Sequence, residues 1–72
     1  MLVPEKFKVI YWRTEGHRNQ GISELAGSNM DLDTAVFLCK QVVDQQGMVR
    51  AEVRNNLNSK ELHYEETVFY WP

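Results

Sequence analysis

Runs of apolar and polar residues along the chain change period several times, and each period predicts a different element. Lys6 to Thr14 is rich in β-branched and aromatic side chains, and its length suits one strand. Alternation puts Phe7, Val9 and Tyr11 on one face of that strand and Ile10 and Trp12 on the other. Both faces are apolar, so the strand is either covered on both sides or lends an aromatic to an interface. Glu15 to Gly21 is polar and glycine-bracketed, the composition of a loop or wide hairpin. Ile22 to Ala26 is a candidate second strand.

From Leu32 the period becomes helical. Ser28 to Asp31 offers several helix caps, and Asp31 and Asp33 suit the positive end of a helix dipole. At roughly 100° per residue, Leu32, Ala35, Val36, Cys39, Val42 and Val43 fall in one broad arc together with Leu38. Gly47 supplies a left-handed stop, so the helix is expected over residues 32–46. Val49, Ala51 and Val53 then alternate against Arg50, Glu52 and Arg54, the pattern of a half-buried strand. Asn55 to Ser59 reads as a hairpin turn, and a last strand runs from Lys60 to Trp71. Glu65-Glu66 interrupts its alternation, so a bulge or bend is expected there. The expected fold is α+β: one domain over residues 1–72, with a three- to four-stranded, mostly antiparallel sheet and one amphipathic helix across one face, in the order β-(β)-α-β-β.

A chain of 72 residues has room for one core. Such a core typically supplies only about 3–5 kcal/mol, which makes self-association a natural supplement. The composition, 43% hydrophobic and 25% charged, is that of a folding sequence rather than a disordered one. A net charge of −2 gives no long-range attraction to nucleic acid or an anionic membrane. The apolar runs are too short for a membrane span, and Met1 to Lys6 has no secretory pattern, so a cytoplasmic protein is expected.

No catalytic or cofactor-binding constellation emerges, and a non-enzymatic role without cofactor or metal is expected. Cys39 lies on the apolar arc of the helix, where a thiol packs as a small hydrophobe. His17 and His63 are far apart and lack metal-ligand spacing. Glu65 and Glu66 would point to opposite faces of a strand, the wrong arrangement for shared acid–base work. The loop from Gly16 to Gly21 offers Arg18 and backbone amides to an anion, yet it matches neither phosphate-binding pattern.

Surplus aromatics point instead to contact with another molecule. Phe37 falls opposite the helix's apolar arc, among Asp33, Lys40, Gln41 and Asp44, and should protrude into water. One helix covers one sheet face, which leaves some of Trp12, Tyr64, Phe69, Tyr70 and Trp71 for the other face. The expected function is a protein-interaction module, homodimeric through these aromatics, with Phe37 as a further contact. Folding of the C-terminal aromatics over their own core is the competing use. The alternative function is nucleic-acid binding, with Arg50 and Arg54 on one strand face and Lys60 near them. The layout resembles that of many short bacterial and phage proteins, including small phage inhibitors of host defence, a likeness of architecture that gives no residue a role.

Overall fold

The computed structural model describes residues 6–55 and 66–72. Strand β1 (Phe7–Trp12) leads into a short helix α1 (Glu15–Asn19), strand β2 (Glu24–Met30), the main helix α2 (Leu32–Asp44), and strands β3 (Arg50–Asn55) and β4 (Thr67–Trp71). The sheet order is β2-β1-β3-β4, and every pairing is antiparallel. This is the α+β arrangement expected from the hydrophobic pattern. The expected Asn55–Ser59 turn and the part of the last strand from Lys60 to Glu65 fall outside the described residues, apart from Asn55 itself. No helix among the described residues is long and apolar enough to cross a membrane.

Helix α2 forms where its sequence places both ends. Asp31 keeps an extended backbone and accepts a hydrogen bond from the Thr34 N–H at 2.9 Å, satisfying one of the amides a helix start leaves open. At the other end Gly47 adopts φ 75° and donates to the Val43 carbonyl, while Met48 N–H reaches the Val42 carbonyl. The helix buries Ala35, Cys39 and Val42 against Phe7, Val9, Ala51 and Val53 of the sheet, so β1 and β3 form the floor of the core. Leu32, expected on the buried arc, is exposed, because it occupies the first turn, beyond the residues that meet the sheet.

Two segments depart from the sequence reading. Glu15 to Asn19, expected as a loop, forms one short helix. Thr14 caps it by accepting the His17 N–H at 3.1 Å, and Gly21, at φ 73°, ends it with a bond to the Arg18 carbonyl. Strand β2 starts two residues later than the expected Ile22 and continues to Met30, through residues that also looked like helix caps. Two register shifts hide its period: Val9 pairs with Gly27, but Phe7 pairs with Met30 and Ile10 with Leu25. Asn29 absorbs one shift at φ 57°. Gly27 thereby faces α2 so closely that a Cβ there would lie 2.9 Å from the Met30 methyl and 3.3 Å from Leu38.

Candidate protein-contact face

Antiparallel partners share a sheet face, so the register fixes what lies opposite α2. Leu25, Ile10, Glu52 and Tyr70 form a single row across all four strands on this outer face. Trp12 pairs with Arg50 on one side of the row, and Lys8 pairs with Arg54 on the other. Leu25 is 58% exposed and Tyr70 55%, whereas Ile10 between them is buried. The row therefore has a firm centre and two accessible apolar ends.

Glu52 organises the charged part of the face. Its carboxylate accepts from Arg50 Nε at 3.3 Å, from Arg54 Nη2 at 3.1 Å and from the Thr67 hydroxyl at 3.1 Å. The Thr67 contact depends on a bulge in β4: Phe69 pairs with Val53 and Thr67 with Arg54, leaving Val68 as the extra residue. The irregularity expected at Glu65-Glu66 falls at the edge of the described residues, with Glu65 outside them, and the bulge at Val68 is a further one. Arg50 also stacks on the Tyr70 ring, with its guanidinium carbon 4.3 Å from the centroid. Glu52 and Arg50 are only slightly exposed, so the pairing is screened less than a surface ion pair.

The remaining sequence-derived candidates lie elsewhere. Trp12, expected to be available for contact, is 8% exposed and supports the face from within. Phe69 and Trp71 turn toward α2 as partners of Val53 and Ala51 and pack against the core. The Trp71 indole donates to Asp44 at 3.0 Å, and the Lys40 ammonium lies 5.1 Å from the Trp71 ring centroid. The C-terminal aromatics therefore divide between two faces, with Tyr70 alone of Phe69, Tyr70 and Trp71 on the outer one. Phe37 does protrude, at 67% exposure, beside an open depression of about 190 Å³ that it shares with Lys40, Gln41, Asp44 and Gln45. Arg18 sits on α1 with Glu15 3.8 Å away, and no contact links it to the β3 arginines. Tyr64 and Lys60 lie outside the described residues.

Other titratable groups have structural partners. Arg13 grips the Glu24 carboxylate with Nε and, at 3.2 Å, with Nη2, tying the end of β1 to the start of β2. The Arg13 hydrogen bond holds Glu24 below the usual carboxylate range despite some desolvation. Burial pushes the Cys39 thiol up to about 11, which suits a packed thiol rather than a nucleophile. Among the described residues, no three His, Cys, Asp or Glu side chains cluster as metal ligands would.

Comparison with protein-family models, curated proteins and solved structures returns no match, so the residues alone carry the functional reading.

Proposed function

We propose that this protein is an interaction module that binds another protein through the sheet face opposite α2. The observation that carries this reading is the row Leu25–Ile10–Glu52–Tyr70, whose two ends are large, accessible apolar side chains on a rigid four-stranded platform. A tyrosine immobilised by a stacked arginine loses little side-chain entropy on binding, which is why tyrosine and arginine recur at the energetic centres of interfaces. Phe37, on the opposite side of the molecule, is a single exposed aromatic of an ordinary kind.

Self-association belongs to the same reading, with a second copy as one partner the face can meet. Replacing both Leu25 and Tyr70 by serine tests the proposal by affinity capture of partners, including the chain itself, from its native cell. The double variant should stay folded, because both side chains are more than half exposed, and should lose captured partners that a Phe37→Ser variant retains. Loss on Phe37→Ser with retention by the double variant would move the contact surface to α2.

A further inference from the structure

The sheet ends in two edge strands, β2 and β4, and they are not equivalent. β2 is broken by two register shifts and holds Asn29 at a positive φ, irregularities that keep an edge from pairing with another chain. β4 has one bulge, at Val68, after which Phe69, Tyr70 and Trp71 meet consecutive residues of β3. Its segment Thr67-Val68-Phe69-Tyr70-Trp71 is β-branched or aromatic throughout and carries no charge. An uncharged edge of high β-propensity is a template for a further strand.

Pairing with β3 fixes which main-chain groups that edge presents. The Asn55 N–H donates to the Glu66 carbonyl at 2.8 Å, so the main chain of Asn55 is turned toward β4. Hydrogen-bonding direction alternates along a strand, so Val53 is turned the same way and its partner Phe69 faces β3. The peptide groups on either side of Phe69 therefore direct the Val68 C=O and the Tyr70 N–H away from the sheet. Neither group has a hydrogen-bond partner among the described residues. An open hollow of about 460 Å³, lined by Thr67 to Pro72, borders the strand, and the Val68 and Tyr70 side chains are both exposed.

We propose that β4 pairs with the β4 of a second copy, antiparallel about a two-fold axis at Phe69, so that two four-stranded sheets become one. This register sets Val68 opposite the second copy's Tyr70. Each Tyr70 N–H then donates to the other copy's Val68 carbonyl, and the two-fold makes the bond twice. Val68 and the facing tyrosine ring form a β-branched–aromatic cross-strand pair, which covers two side chains that one copy leaves in water. A second copy is favoured over a foreign strand because the segment is complementary to itself. Its donor and acceptor exchange places under the two-fold, and no like charges meet. The outer faces of the two copies continue into one another, so the edge contact does not depend on what that face binds.

The chain is short enough for total synthesis, which allows the Tyr70 main-chain nitrogen to be methylated while its side chain is kept. Light scattering over about a hundredfold range of concentration should show the unaltered protein rising to twice the mass of one chain. The methylated protein should stay at the mass of one chain, with an unchanged far-ultraviolet circular dichroism spectrum. Hydrogen exchange on the unaltered protein does not depend on how the methylated one folds. There the Tyr70 amide should exchange at least about tenfold more slowly in the concentrated sample than in the dilute one, while the Leu25 amide on β2 keeps its rate. A single-chain mass at every concentration would overturn the proposal, whether the edge is idle or holds a strand of another protein. A dimer that survives methylation, or one that protects Leu25 and not Tyr70, would overturn it as well. Partner capture by the Leu25 and Tyr70 side chains is a separate readout, so the contact face can stand if the edge pairing falls.

Discussion

Val53 and Val68 make the same chemical change in two different places, and truncating each to alanine tests the sheet order and the position of the core together. Val53 lies in the interior strand β3, paired with Val9 on one side and Phe69 on the other, and is 0% exposed. Removing its two methyl groups forfeits about 1.6 kcal/mol of transfer free energy at roughly 0.8 kcal/mol per carbon. The flanking strands are held by main-chain hydrogen bonds and cannot close on the void, which adds about 1 kcal/mol. The total, about 2.5 kcal/mol, is at least half of the stability expected for a chain of this size and corresponds to a fall in Tm of about 10–20 °C. Val68 is the bulge residue of the edge strand and is 43% exposed. The same truncation there leaves no enclosed void and should cost less than about 1 kcal/mol. Urea denaturation followed by far-ultraviolet circular dichroism measures both, with the slope m unchanged if only stability has moved. Equal losses at the two positions would refute the placement of β3 inside the sheet and β4 at its edge.

Further outcomes follow from the helix and its cysteine. The Thr34 side chain and its main-chain N–H both favour ionised Asp31, holding its carboxyl below the usual range. Its folded pKa lies below the unfolded one, so its contribution is complete above about pH 4 and is lost as the pH falls through the lowered value. Asparagine also caps helices, so Asp31→Asn should fold normally. Its difference in Tm from the parent should close as the pH is brought to about 2, and a difference independent of pH would contradict the capping account. With the Cys39 thiol raised to about 11, a thiol reagent at pH 8 should label the native protein roughly a hundredfold more slowly than the urea-unfolded chain. Comparable rates would place the thiol outside the core.

Elements whose evidence is local were legible in the sequence. Helix α2 announces itself by its apolar arc, its Asp31 cap and its Gly47 stop, and the exposure of Phe37 follows from the same projection. The alternation of Ala51 and Val53 against Arg50, Glu52 and Arg54 likewise identified the buried side of β3, whereas β1, apolar on both faces, left its side open until the pairing with β3 placed Phe7 and Val9 beneath α2. Strand β2 was half hidden, because two inserted residues break its alternation and turn Leu25 outward and Gly27 toward the helix. Helix α1 was missed because five residues containing a glycine carry too little periodicity; Thr14 at its cap and Gly21 after it were the available signals.

The contact face was only partly legible for a different reason. Arg50 and Arg54 could be placed on one side of β3, but Glu52 between them gained its role from pairing. The β4 bulge brings Thr67 to its carboxylate, and the register brings Tyr70 beneath Arg50. The division of Phe69 and Trp71 from Tyr70 depends on the same register and on Asp44, 27 residues away from Trp71 in sequence. No periodicity encodes such distant pairings.

The most direct test of the contact face is photocrosslinking from a benzoylphenylalanine placed at position 70, 25 or 37 in the protein expressed in its native cell. Positions 70 and 25 should give the same protein adduct and position 37 none; the adduct's mass identifies its partner, a second copy included. Adducts from position 37 alone would contradict the account and place the working surface on α2.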